Sequence, residues 1–194
     1  MRKAFMTFIL FAAGLTGAVA QDWKADPPHS RVMFTVTHML VSEVNGRFTD
    51  FDLVLKQGKD DFSGSSVEAT IKTASVSTDN EMRDKHLRSD DFFNAEKYPV
   101  ITFKSTSFDK TGDNTYRIKG NLTIRDVTKE VTLEAKLLGT VVDQRGSTRV
   151  GFKVTTTINR FDYGVRWDRT LDQGGLVVSN DVAITITTEL IKQK

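Results

Sequence analysis

The chain has 194 residues, no cysteine, and 27 lysines and arginines against 25 aspartates and glutamates. Without cysteine a disulfide scaffold is excluded, so the fold must depend on its own apolar core. No block of five or six basic residues occurs, which argues against nucleic acid as a partner.

The first twenty residues have the pattern of a cleavable export signal. Arg2 and Lys3 precede a mainly apolar run, and Ala18-Val19-Ala20 is a small-x-small cleavage site. A membrane anchor is the alternative, but residues 4–20 fall short of the roughly 20 apolar residues that span a bilayer. We therefore expect a signal peptide over residues 1–20 and a periplasmic protein, with secretion into the medium as the other destination.

The remaining residues, 21–194, are expected to form one domain. Loss of the signal removes two of the 27 basic residues and none of the 25 acidic ones, so the mature chain has a formal charge of zero. No other apolar run approaches spanning length, and we expect no membrane span in the mature chain.

The mature chain begins with a predicted turn, residues 26–30, followed by two strand-like segments. The first alternates at period two, which is typical of a strand with one buried face. That face carries Val32, Phe34, Val36 and His38. After a break the second segment covers residues 47–55, where the odd spacing of Phe48 and Phe51 indicates a bulge.

Helical signals are confined to residues 79–94. Thr78-Asp79-Asn80-Glu81 matches the T-x-x-E capping box, which predicts a helix from Asp79 to about Leu87. Phe92 and Phe93 follow before Tyr98-Pro99 ends the region. A short helical insertion of this kind would fit over one end of a barrel.

Alternating segments otherwise follow one another with short turns and no βαβ spacing, about eight strands in all. This pattern predicts an all-β sandwich or barrel. Strands of about nine to eleven residues with one apolar face favour an antiparallel up-and-down barrel. The interior of an eight-stranded barrel either fills with side chains or holds one small ligand, and composition does not separate these alternatives.

Motifs for catalysis or metal binding are sparse. His29, His38 and His86 are the only histidines, and their spacing does not match a zinc site. No serine lies in a G-x-S-x-G motif. The pairs Asp60-Asp61 and Asp90-Asp91 are better explained by a turn and a helix start than by a glycosidase site. We expect neither a metal nor an enzyme.

Several further motifs occur in order along the chain. The pattern W-x-x-D-P-x-H-S from Trp23, with N-G-R-F from Asn45, resembles the opening of the YceI-like family of bacterial periplasmic proteins. Further matches are R-D-x-H-L-x-S-x-D-F-F from Arg83, Y-P-x-I-T-F from Tyr98, G-N-L-T-I-R from Gly120, Asn159-Arg160 with Tyr163-Gly164, and Gly174-Gly175. Asp126 departs from the family, which more often has glycine there, and this should alter only the turn after Arg125.

The resemblance implies an extended eight-stranded antiparallel barrel of lipocalin-like shape. Its interior would bind an amphiphile with a polyisoprenoid or similar lipid tail, such as an isoprenoid quinone or a polyprenyl lipid. No obligatory cofactor is implied, and since some members are dimers, a homodimer is one expected state.

On this hypothesis, residues that alternate inward bind the tail. These are Phe34, Val36, Phe51, Phe103, Ile118, Leu122, Phe152 and Ile158. Tyr163, Trp167 and Met39 are predicted near the opening, with His38 and Arg166 as headgroup contacts. Two alternatives stay open, a lipid-modifying enzyme with His86 or His38 as its base, and a filled barrel that acts through a protein partner.

Overall fold

The structure is a computed structural model that describes residues 21–170 and 177–194. The predicted signal peptide over 1–20 and the Gly174-Gly175 pair lie outside the described residues. None of the described helices is long and apolar enough to cross a bilayer.

Antiparallel strands make up most of the described chain, with one short helix between the sixth and the seventh. The strands are β1 (Gln21–Ala25), β2 (Arg31–His38), β3 (Ser42–Phe48), β4 (Phe51–Gln57), β5 (Ser66–Lys72), β6 (Val76–Ser77), β7 (Val100–Gly112), β8 (Thr115–Ile124), β9 (Val127–Val142), β10 (Thr148–Asn159) and β11 (Asp181–Lys192). The helix is α1 (Glu81–Arg88), and 3-10 turns cover Pro27–His29, Thr73–Ser75 and Arg160–Tyr163.

These strands form one sheet that closes on itself. Its order is β1-β4-β5-β7-β8-β9-β10-β11, and β1 also pairs with β11. β2 continues β1 along β11, while β3 and β6 prolong β4 and β5. The chain therefore crosses the barrel eight times with neighbouring passes adjacent, which confirms the predicted eight-stranded up-and-down barrel with a helical insertion.

The barrel has two unlike ends. At one end lie α1, the β2–β3 hairpin, the β8–β9 turn and the 3-10 turn Arg160–Tyr163, and we call this the α1 end. At the other end lie residues 58–65, the β7–β8 and β9–β10 hairpins, and the beginning of β1.

The regular alternation of side chains is broken where the strand pairing is interrupted or shifts in register. β3 ends at Phe48 and β4 begins at Phe51, so the bulge predicted from their spacing is an interruption at residues 49–50. The backbone there bonds to Ser75 instead of continuing the ladder. Further register shifts occur between Ser105 and Ser107 and between Gly151 and Phe152.

The predicted capping box is wrong in detail. Asn80 is the N-cap residue of α1, and its side chain accepts a hydrogen bond from the Arg83 N–H at 3.0 Å. The Thr78 hydroxyl donates instead to the buried Asp84 carboxylate at 2.6 Å. Asp79 adopts a φ of 58°, so the chain turns sharply before the helix begins.

The turn after β8 consists of Arg125 and Asp126, with Arg125 at a φ of 56°. The aspartate does more than shape the turn, because its carboxylate accepts a hydrogen bond from the Tyr98 hydroxyl at 3.0 Å. This bond lowers the pKa of Asp126 and ties the helical insertion to the barrel.

A charged cluster locks the junction of β1 and β2 against β10 and β11. The Arg149 guanidinium donates to Asp143 at 2.7 Å, to Asp26 at 2.8 Å and to Glu189 at 2.5 Å. These hydrogen bonds lower the pKa of both Asp26 and Asp143 below the ordinary value of 3.8. In Asp26 the bond from His29 contributes most.

We predict that Arg149→Gln lowers the thermal midpoint near neutral pH and flattens its dependence on acid. A carboxylate whose pKa is depressed by folding stabilises the fold above about pH 4 and loses that contribution as the pH falls through its folded pKa. The wild type should therefore lose stability steeply below about pH 4, and the variant less so. Thermal unfolding followed by circular dichroism across this range measures the difference.

Arg117→Gln is the matched control, because Arg117 makes one exposed ion pair with Glu134 at 2.9 Å. Exposed pairs contribute little to stability, and its midpoint should stay close to that of the wild type at every pH. Identical acid profiles for Arg149→Gln and the wild type would contradict this role of the cluster.

Candidate functional site

An apolar cavity of about 410 Å³ occupies the barrel interior. This volume lies within the range of about 300–1,000 Å³ that is usual for small-molecule sites. The cavity extends from Leu190 and Phe152, in the half away from α1, to Val36 and Val44 in the β2–β3 hairpin. The barrel is therefore hollow, not filled by its own side chains.

The residues that line the cavity are those whose side chains point inward as the side chains alternate along each strand. In β11 every second side chain from Val182 to Leu190 contributes to the wall, because successive residues of a strand point to opposite faces. The same holds in β10 from Phe152 to Ile158. The wall is thus built by the inward face of the whole sheet and not by one motif.

Two glycines make room for aromatic rings that lean across the sheet. The Phe34 ring lies over Gly46 on the paired strand, where a Cβ would approach its Cζ to 2.1 Å. The Phe103 ring lies in the same way over Gly120, at 2.5 Å. Both rings line the cavity, so each glycine lets a ring lie against the wall instead of projecting into the space.

Aromatic side chains close the end of the barrel away from α1. Phe62 packs against Trp23 and Phe152, with ring centroids 5.6 Å and 5.4 Å away. The Trp23 indole N–H donates to Gln57 at 3.0 Å, and the Tyr116 hydroxyl donates to the Asp61 carbonyl at 2.8 Å. These bonds satisfy the polar atoms of Trp23 and Tyr116, so the aromatic cluster that closes this end is otherwise apolar.

Aromatic rings also gather at the α1 end, but there the cavity reaches the surface. Trp167 packs on Phe92 and His86, with centroids 5.4 Å and 5.5 Å away. His86 also lies 2.8 Å from the Asp91 carboxylate through its Nε2. Arg83 is exposed and nevertheless lines the cavity, so the opening passes beside α1.

The ionisable groups that line the cavity are basic or neutral. They are His38, Arg83, His86, Arg160 and Tyr163, and no described aspartate or glutamate joins them. Burial raises the pKa of Tyr163 to about 12, which keeps its phenol neutral at physiological pH. The wall facing an occupant therefore offers donors and positive charge near the α1 end.

Arg160 is a buried cation without a carboxylate partner among the described residues. Its guanidinium donates to the carbonyls of Val165, Trp167, Val178 and Ser179 at 2.8–3.2 Å, and to the Asn180 side chain at 3.4 Å. Burial lowers its pKa. Arg160 thus holds residues 165–167 and 178–180 together beside the cavity opening and adds positive potential there.

Most of the predicted site residues lie together in this cavity. The predicted residues that line it are Phe34, Val36, Phe103, Ile118, Leu122, Phe152, Ile158, Tyr163, Trp167 and His38. Their roles in binding a ligand stay predictions, since the structure places them without an occupant.

Three of the predicted site residues do not line the cavity. Met39 is in the β2–β3 turn, where the strand alternation has already ended, and its side chain is 42% exposed. Arg166 is exposed and does not line the cavity. Phe51 is buried beside Phe48 but does not line the cavity either, because the chain bends between the two residues.

Several lining residues were missed. Arg83 and Arg160 are charged, so a search for an apolar inward face passes over them, although both belong to the motifs quoted above. The apolar lining residues Leu53, Leu133, Val154, Ile184 and Ile186 follow the period-two pattern of their strands and could have been found from it.

One cluster of described residues has metal-ligand chemistry, and it lies away from the cavity. Ligand atoms of Asp26, His29 and Glu189 lie within 4.8 Å of one another. The Arg149 guanidinium already bonds both carboxylates, so a cation would have to displace an existing positive charge. This arrangement does not fit a metal, and its residues support the barrel junction.

Comparisons with known proteins agree with the fold and the motifs. The family model for the YceI-like domain matches residues 23–190. The protein YceI of Escherichia coli O157:H7 is 40% identical over 200 residues, covering 100% of both chains.

Solved structures share the barrel. The crystal structure of a Campylobacter jejuni YceI protein has a TM-score of 0.71 and 32% identity, covering 81% of this chain and 90% of that one. A polyisoprenoid binding domain from Saccharophagus degradans has a TM-score of 0.65 at 16% identity, covering 88% and 98%. The chain belongs to the YceI-like family.

Proposed function

We propose that the protein binds an isoprenoid or similar long-chain amphiphilic lipid inside the barrel. The observation that carries the proposal is the hollow apolar interior, closed by aromatic rings at one end and open beside α1 at the other. A long apolar tail fits such a cavity with its headgroup at the opening. The structural neighbour from Saccharophagus degradans is a polyisoprenoid binding domain, which supports this choice of ligand.

The binding free energy would come from burial of the tail. Each 100 Å² of apolar surface removed from water contributes about 2.5 kcal/mol, and the part of a lipid tail that enters the cavity offers several such areas. No catalytic group is needed for this. The function would be that of a carrier, a store or a means of sequestering the lipid.

The headgroup would meet the basic end of the cavity. Arg83 donates to the hydroxyl and the carbonyl of Thr78 at 2.7 Å and 2.9 Å, which fixes its guanidinium at the opening. With His38 and His86 also lining the cavity and no described carboxylate in that lining, the site favours a headgroup rich in hydrogen-bond acceptors, such as a quinone carbonyl or a phosphate.

We further propose that the protein acts in the periplasm after removal of residues 1–20. The basic start, the apolar run and the Ala18-Val19-Ala20 site support export. The periplasm is an aqueous compartment between two membranes, where a protein could shield a lipid tail from water.

An enzyme is the second candidate, because His86 lies at the cavity opening with its Nε2 against Asp91 at 2.8 Å. A histidine oriented by a carboxylate is a common general base. On this alternative the cavity would hold a substrate and release a changed product.

We predict that the mature protein, purified from its own host without detergent, carries a lipid of several hundred daltons. Native mass spectrometry should show the bound mass, and organic extraction should identify a prenyl lipid. Added quinone should be taken up and extracted unchanged. A clean apo mass with no uptake of quinone or polyprenyl lipid would refute the proposal, and extraction of an altered lipid would favour the enzyme.

Filling the cavity should abolish uptake. Ile186 lines the cavity from β11, and the neighbouring Thr187 is exposed on the outer face of the same strand. In Ile186→Trp the indole should enter the open space, so quinone uptake should fall by at least roughly tenfold, with a loss of stability below the ~1–3 kcal/mol of overpacking a filled core.

Thr187→Trp is the matched control and should take up quinone as the wild type does. Fluorescence titration measures uptake, and denaturant unfolding measures stability. Normal uptake by Ile186→Trp would place the ligand outside the barrel, and a severe loss of stability would favour the filled-barrel alternative.

Gly46→Ala should narrow the cavity near its opening. A Cβ at residue 46 would meet the Phe34 ring at 2.1 Å, so the ring must turn from the wall towards the interior. We expect weaker uptake of long-tailed quinones than of short-tailed ones and a lower thermal midpoint. Gly139→Ala, whose Cβ would meet nothing within 4 Å, should change neither. Equal uptake of both quinones by Gly46→Ala would contradict this account.

A further inference from the structure

The tip of the β2–β3 hairpin exposes three consecutive apolar side chains. Met39, Leu40 and Val41 are 42%, 68% and 84% exposed. They lie at the α1 end of the barrel, where the cavity opens. Exposed apolar residues occur singly on most proteins, whereas here they are adjacent on a projecting turn that separates two strands.

The backbone of this tip is one that these residues rarely adopt. Met39 and Leu40 have φ of 50° and 63°, and the Val41 N–H donates to the His38 carbonyl at 3.1 Å. Positive φ at both central residues of a β-turn strongly favours Asn-Gly. Backbone strain of this kind is concentrated at functional positions, so apolar residues held here indicate a use for them.

The tip is attached directly to the rim of the cavity. His38, the residue before it, lines the cavity, as do Val177 and Val178 on the adjacent segment. The Met39 N–H donates to the Val177 carbonyl at 2.9 Å. Any surface that covers the tip would therefore lie beside the opening through which a ligand must pass.

We propose that this tip docks the protein on a lipid bilayer, with Met39, Leu40 and Val41 inserted at the boundary between headgroups and acyl chains. The proposal rests on the proposed function, because a cargo that resides in membranes must enter and leave the cavity. With the rim against the bilayer, the tail passes between membrane and barrel without exposure to water.

The charges around the tip indicate what kind of attraction is used. Between Thr35 and Asn45 the sequence has one acidic residue, Glu43, and no lysine or arginine. Anionic lipid therefore finds no basic cluster on the hairpin. Insertion of the tip itself should depend little on salt, since screening acts on charges and not on apolar burial.

The test compares the wild type with Met39→Asn/Leu40→Gly in flotation with phosphatidylcholine vesicles. Asn-Gly suits the turn, so the variant should keep or raise the thermal midpoint while losing the apolar tip. Its partition onto vesicles should fall by at least roughly tenfold. The wild type should bind these vesicles equally well at low and at high salt.

Val141→Thr/Val142→Thr is the matched control. These residues are 60% and 63% exposed at the opposite end of the barrel, and threonine suits a strand. The control should bind vesicles as the wild type does. Equal loss of binding in the control and the tip variant would show that exposed apolar area anywhere is sufficient, which would overturn the proposal.

Uptake of quinone delivered from ethanol, measured without vesicles, separates this proposal from the function on which it rests. If the wild type takes up quinone but does not bind vesicles, docking is refuted, the proposed function stands, and the tip becomes a contact for a protein. If vesicle binding survives the Asn-Gly substitution, docking by the tip is likewise refuted. If the wild type takes up no quinone, the proposed function fails whatever the vesicles show.

Discussion

The hollow barrel depends on a short line of hydrogen bonds between β1 and β11. Only three residue pairs join them, from Trp23 with Lys192 to Ala25 with Leu190. Beyond Ala25 the chain turns, and β2 takes over the pairing from Thr187 onwards. Without the pairs that β1 and β2 make with β11, the sheet would have two free edges, and the cavity would be open along its side as well as at its end.

The polar groups around the turn at residues 26–30 compensate for the short pairing. The Asp26 N–H donates to the Glu189 carbonyl at 2.8 Å, and the buried Ser30 hydroxyl accepts from the Glu189 N–H at 3.1 Å. Arg149 binds the side chains of Asp26 and Glu189. Trp23 and Leu190 are also buried at this junction, so apolar packing and directional bonds fix the seam together.

The sequence predicted this architecture well wherever period two holds, because the pleat of a strand alone decides which side chains point inward. Ile118, Leu122, Phe152 and Ile158 were placed in the cavity on that basis. The method failed where the ladder stops. Phe51 was counted as inward, but the interruption at residues 49–50 precedes it and it does not line the cavity. Arg166 lies in an irregular segment whose path depends on distant carbonyl groups.

The buried cation was beyond local pattern for the same reason. Arg160 is held by carbonyls five to twenty residues away, and nothing adjacent to it in sequence marks such a site. Its position links two features of the opening. It anchors residues 165–167 and 178–180, and the latter segment lies alongside the end of β2, where Val178 bridges His38 next to the strained turn at Met39 and Leu40. The hydrogen bonds that hold the buried Arg160 beside the cavity therefore also fix the rim. A ligand headgroup near Arg160 and a surface bound at the hairpin tip would contact the same continuous stretch of backbone.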